Sequence, residues 1–154
     1  AEVGYPDREA SHTILALTRA EALRENQAPP PAAQRLSQEV LFAARREVME
    51  LHLAASVEGY IVEIIEASRD PGRYSSELAD WLRWGASPRG AIAIERGARA
   101  MAWLAGRDFV TPEDVQRIVP DALRHRIILD YEAQADGVTA ARFVDELLRK
   151  VPAL

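Results

Sequence analysis

Residues 84–91 read Trp-Gly-Ala-Ser-Pro-Arg-Gly-Ala. Ser87 followed by Pro88 is a helix-start pair, because Ser caps well and Pro suits the first helical position. Arg89 then falls in the first turn. There the backbone N–H groups lack internal partners and the macrodipole adds about half a positive charge. A cation at that end is unfavourable by about 0.3–1 kcal/mol on its own. Opposite an anion the placement becomes favourable. Helix N-termini suit phosphate, and a guanidinium can donate two parallel hydrogen bonds to it. Two readings are open: Arg89 meets a phosphate held outside this chain, or its stem covers apolar surface with its head in water.

Other reactive chemistry is sparse. The 154 residues contain no Cys, so thiolate catalysis, disulfides and Cys-ligated metals are excluded. His12, His52 and His125 lie far apart, without metal-ligand spacing. No Gly-x-Ser-x-Gly elbow is present. The only Lys is Lys150, so a Gly-x-x-x-x-Gly-Lys-Ser/Thr loop is impossible. This chain by itself is expected not to hydrolyse a nucleotide.

The formal net charge of −5 argues against broad nucleic-acid binding, which needs a basic face. The charge is uneven, however. Residues 83–126 carry eight Arg against five acids, whereas the rest of the chain is acidic. No run of about 18 apolar residues is present, so no membrane span is expected. Residues 1–10 lack the pattern of a signal peptide. Together with the missing Cys, this points to a cytoplasmic location.

The segments that must position Arg89 read as helical. Ala10, Ile14 and Leu17 share one face of a helix over 7–25. Three consecutive Pro in 26–36 make an extended connector. Ser37 is a candidate N-cap for a helix whose stripe is Val40, Leu41, Ala44, Val48 and Leu51. Val57, Ile61, Ile64, Ile65 and Ser68 mark the next helix, and Asp70-Pro71-Gly72 marks a loop. A short helical turn is expected over 76–84. The helix carrying Arg89 runs from about 88 to 105 and ends at Gly106. Its buried face is expected at Ile94, Ala98, Met101, Ala102 and Ala105.

Thr111, Pro112 and Asp114 begin another helix with a capping box, buried through Val115, Ile118, Val119 and Ala122. Residues 125–130 are a helix end or an extended segment. A last helix starts near Val138 or Thr139, with Ala140, Val144, Leu147, Leu148 and Val151 as its stripe. The expected fold is all-α: a compact bundle of about six helices and no convincing sheet.

Three motifs occur in order: Gly85-Ala86-Ser87-Pro88-Arg89, then AGRDFVTPEDV at 105–115, then His125-Arg126-Ile127. Ala133 and Gly137-Val138-Thr139 follow. Upstream, Gly4-Tyr5-Pro6 precedes an acid-rich helix, and Ala67-Ser68-Arg69-Asp70-Pro71 matches a segment usually written with Thr before the Arg. Together these resemble the helical lid domain of the MoxR family of AAA+ ATPases, over nearly the whole chain. The resemblance implies a single lid domain over 1–154, with 1–6 as its junction to an ATP-binding core outside this chain. That core would carry the Walker motifs, the first sensor, the arginine finger, and ATP with Mg. The parent protein would hydrolyse ATP, and no cofactor is expected in this segment alone.

The resemblance makes Arg89 the second sensor, reaching the γ-phosphate of ATP in the core of the same subunit. Nucleotide-binding positions would be Tyr5, Pro6, Ser87 and Arg89, with Tyr5 and Pro6 near the adenine. Implied partners are the chain's own core, neighbouring subunits of a hexameric ring, and a client protein with a von Willebrand factor A domain. The family's action is chaperone-like remodelling, with the lid swinging as a rigid body. Gly90 stands where the family has Ala, and is expected to loosen the aim of Arg89. Trp84 reads as a core or hinge-packing aromatic. Arg69 and Arg126 read as surface ion-pair or packing residues, with a phosphate or a neighbouring subunit as the other reading. Alternatives are the lid of a magnesium-chelatase-like or MCM-type motor, and a free-standing helical interaction module. The acidic charge argues against the MCM type.

Overall fold

The computed structural model describes residues 5–23 and 36–153. The expected Pro-rich connector, the end of the first helix and the start of the core–lid junction lie outside these residues. The chain falls into two compact units, Ala1–Ser37 and Gln38–Leu154.

The first unit holds α1 (Arg8–Ala22). Asp7 caps it by accepting a hydrogen bond from the Ala10 N–H at 2.7 Å. None of its residues is buried.

The second unit holds α2 (Gln38–Glu50), α3 (Ala55–Ala67), a 3-10 turn at Pro71–Arg73 and α4 (Ser76–Trp81). Then come β1 (Leu82–Trp84), α5 (Pro88–Leu104), α6 (Pro112–Leu123), β2 (Ile128–Leu129), α7 (Tyr131–Ala135) and α8 (Ala140–Lys150). The all-α reading holds, with eight helices among the described residues rather than about six. The expectation of no sheet is corrected. Leu82 and Trp84 pair antiparallel with Leu129 and Ile128. This sheet is too short for period-two patterning to reveal it, and its strands are far apart in sequence. It resolves residues 125–130 as extended at 128–129, and it turns 82–84 from helical turn into strand. α7 is only five residues long, too short to be read from periodicity.

The core gathers the faces that the spacing marks. Val57, Ile61, Ile64, Ile65 and Ser68 are all buried, and so is Tyr60. From α5, Ile94, Ala98 and Ala102 are buried, while Met101 is half-buried and Ala105 exposed. α8 buries Val144 and Leu147 as expected, and also Phe143. α2 departs from expectation, with Val40 and Leu41 about half exposed and no residue fully buried. Ala44 and Val48 are half-buried and line, with Leu41 and Met49, an open groove of about 450 Å³ against α5, while Leu51 at the end of the stripe is buried.

α5 and α6 pack most closely. Gly97 allows this, because a Cβ there would lie 2.7 Å from Ile118 Cγ2. Between the two helices, Gly106 adopts φ +72°, a left-handed conformation suited to glycine at a helix end. The Thr111–Asp114 capping box forms as expected. Asp114 is nearly buried and also takes both arms of Arg107, at 2.6 and 2.7 Å.

Candidate functional site

α5 starts at Pro88 with Ser87 as N-cap in extended conformation. The Ser87 hydroxyl makes no capping hydrogen bond, so the helix end is not closed by its own side chain. Ser87 and Arg89 are exposed. Among the described residues no hydrogen bond, ion pair or ring contact involves Arg89. Most other arginines of the basic stretch are engaged: Arg83 with Asp130, Arg99 with Glu95, Arg107 with Asp114, and Arg124 with Asp121. Of these pairs only Arg83–Asp130 draws on an acid outside the stretch, so most of its positive excess stays unbalanced. Arg89, like Arg96 and Arg117, keeps its donors for water or a ligand.

The chain just before Arg89 is held firmly. The Ala86 N–H donates to Ser68 Oγ at 3.2 Å, and the Ala86 carbonyl accepts from Arg69 Nε at 2.7 Å. Ser68 is fully buried and donates its own hydroxyl proton to the Ile65 carbonyl at 2.7 Å. Gly85 lies so close to α3 that a Cβ would sit 2.1 Å from the Ser68 carbonyl oxygen. Arg69 is thus a main-chain anchor rather than the surface ion-pair residue expected. The sequence held a signal for this: Ser68 is the one polar member of an otherwise apolar stripe.

Gly90 also corrects the expectation. It is buried, and a Cβ there would lie 2.9 Å from Ile65 Cδ1 and 3.1 Å from Leu123 Cδ2. The missing side chain seats the first turn of α5 against α3 and α6, which tightens rather than loosens it. Trp84 is not a packed core residue of this unit: it is 64% exposed, across the ladder from the half-exposed Ile128. Arg126 donates to the Ala122 carbonyl at 2.9 Å, an ordinary helix-end contact.

Tyr5 and Pro6 belong to the first unit, just before the Asp7 cap, and both are exposed. His125 is exposed. His52 joins the 107–110 connection through its backbone, by hydrogen bonds to Asp108 and Val110. Among the described residues no cluster of three or more His, Asp or Glu could hold a metal ion. No helix among them is long and apolar enough to cross a membrane.

The AAA lid domain family matches residues 78–147, the stretch that contains α5 and α6. The chain is 33% identical over 150 residues to the chaperone MoxR1 of Mycobacterium tuberculosis, covering 97% of this chain and 38% of that protein. It is similar to the crystal structure of a Cytophaga hutchinsonii protein assigned as an ATPase, with a TM-score of 0.80 and 36% identity, covering 97% of this chain and 44% of that one. A shorter likeness, 55% identity over 42 residues, joins it to the magnesium-chelatase subunit ChlI of Nicotiana tabacum, covering 27% of this chain and 10% of that subunit. The chain spans about two fifths of the length of the first two, at 38% and 44%. An all-α fold, the lid match over α4 to α8, and likeness along nearly the whole chain agree: this chain belongs to the MoxR family of AAA+ ATPases, as its helical lid.

Proposed function

We propose that this lid senses nucleotide through Arg89 and moves with nucleotide state. The observation that carries the reading is the pairing of a free guanidinium at the start of α5 with a main chain anchored immediately behind it. A group that contacts a phosphate across a domain gap must be unengaged at home yet well aimed. ATP, with its Mg²⁺, is the substrate held by the core, and Arg89 reaches its γ-phosphate from the lid. Ser87 lies beside that contact, and Tyr5 and Pro6 lie at the hinge near the adenine. When the γ-phosphate leaves, the anion that favours the closed lid is gone and the lid relaxes. The parent protein uses this motion to remodel a protein client, one with a von Willebrand factor A domain, from a hexameric ring in the cytoplasm. The Cytophaga hutchinsonii and Mycobacterium tuberculosis likenesses extend over 97% of this chain, which supports this reading over the second one. That second reading, a magnesium-chelatase-like lid, is supported by the shorter likeness to the tobacco subunit.

The test is Arg89→Ala in the full-length protein. Losing one such contact at a transferring phosphoryl group costs about 3 kcal/mol, roughly a hundredfold in kcat. The melting temperature should stay close to that of the parent, because Arg89 is exposed and makes no hydrogen bond or ion pair among the described residues. An unchanged kcat would remove Arg89 from nucleotide sensing. This chain alone should show no ATP turnover above background.

A further inference from the structure

We infer that Ser68 and Arg69, at the C-terminal end of α3, are positioning residues for Arg89. The inference rests on the nucleotide-sensing reading and adds a second set of residues to it. Both polar groups of the Ala86 backbone are tied to this pair, one to each side chain. The Ser68 hydroxyl has no rotational freedom left. Its proton is committed to the Ile65 carbonyl, so a lone pair faces the Ala86 N–H. Gly85 leaves room for the two segments to meet, since a Cβ there would lie 2.1 Å from the Ser68 carbonyl oxygen, and Gly90 lets the next turn lie against Ile65. The approach to α5 is therefore anchored on α3 from Gly85 to Gly90, and Arg89 lies inside that anchored span.

The consequence is geometric. A small rotation of the Ala86 peptide redirects Ser87, Pro88 and the first turn of α5, and with them the guanidinium. Misplacement of a contacting group by about 1 Å is enough to cost up to a hundredfold in rate. Arg69 is exposed, so its hydrogen bond to Ala86 contributes little to overall stability. Its value lies in direction. A phosphate contact made by Arg69 itself is the competing idea, and it predicts a different pattern of combined losses.

The experiment measures kcat, KM and melting temperature in the full-length protein for five variants: Arg89→Ala, Arg69→Met, Ser68→Ala, Ser68→Thr, and Arg69→Met combined with Arg89→Ala. Arg69→Met keeps the apolar stem and removes the donor. It should lower kcat by roughly five- to tenfold with the melting temperature nearly unchanged. Ser68→Ala should lower kcat to a similar degree and also lower the melting temperature, because it leaves the buried Ala86 N–H without its acceptor. Ser68→Thr, which keeps the hydroxyl, should restore kcat to within about twofold of the parent. The combined variant should be no slower than Arg89→Ala alone, because an aim matters only while the aimed group is present. Multiplied losses in the combined variant would show that Arg69 acts independently, and would overturn the inference. So would normal kcat in both Arg69→Met and Ser68→Ala while Arg89→Ala is slow, an outcome that leaves the sensing reading standing. A normal kcat in Arg89→Ala itself would remove both.

Discussion

Asp114 serves two ends of the structure at once. Its carboxylate accepts the Thr111 N–H at 2.9 Å and both arms of Arg107, while its own N–H completes the cap on Thr111. The Arg107 hydrogen bonds hold the Asp114 carboxyl below its ordinary pKa; burial pushes the other way and is outweighed, with Thr111 adding to the depression. A depressed folded-state pKa means stability that is fully present above the unfolded value near 3.8. It is lost as pH falls through the lower folded value. Asp114→Asn should therefore cost about 2 kcal/mol at neutral pH, below a fully buried pair because Arg107 remains partly exposed. Its acid-unfolding limb should also be shallower. Urea titrations of both proteins from neutral pH down through and below the unfolded value near 3.8 measure both effects. Equal stability at neutral pH would mean that the capping box holds without the carboxylate.

At the scale of elements, α5 and α6 are set by a glycine rather than by their apolar stripes. Gly97 faces the branched Cβ region of Ile118, and that atom cannot swing away as a side-chain tip could. Gly97→Val should push the helices apart and destabilise the fold by about 1–3 kcal/mol. Adding Ile118→Ala should recover part of that loss, a coupling that a double-mutant cycle reads directly. Additive losses would mean that the two residues do not share the contact. The capping signals of α5, α6 and α8 were legible because they are local: Pro88, the Thr111–Asp114 box and Thr139 act within one turn. The buried face of α2 was not. Its stripe is genuine in the sequence, yet an apolar stripe does not say which part of it a neighbour will cover.

Across the whole molecule, the core of the second unit is a layer of α3, α5, α6 and α8 side chains with Leu147 and Phe143 fully enclosed. Leu147→Ala should cost about 2–5 kcal/mol and lower the melting temperature. A loss under about 1 kcal/mol would mean that α8 is peripheral to the core. Arg89→Ala is expected to do the reverse, leaving stability intact and lowering kcat of the full-length protein by roughly a hundredfold. That separation follows from position: Leu147 is inside the packed layer, whereas Arg89 stands on its rim with no partner among the described residues.

The sequence alone determined the helical class, the start of α5 at Ser87-Pro88, the α6 cap, and the place of Arg89 in the first turn of α5. Each depends on interactions within one or two helical turns, where residue type and spacing carry the physics. The tertiary structure decided the β1–β2 pairing, the burial of Gly90, the exposure of Trp84 and the hold of Ser68 and Arg69 on Ala86. These join segments 17 residues or more apart, as from Arg69 to Ala86, so no local pattern encodes them. A glycine in a sequence states only that a side chain is absent. What presses into the space it leaves is settled when α3, α5 and α6 come together.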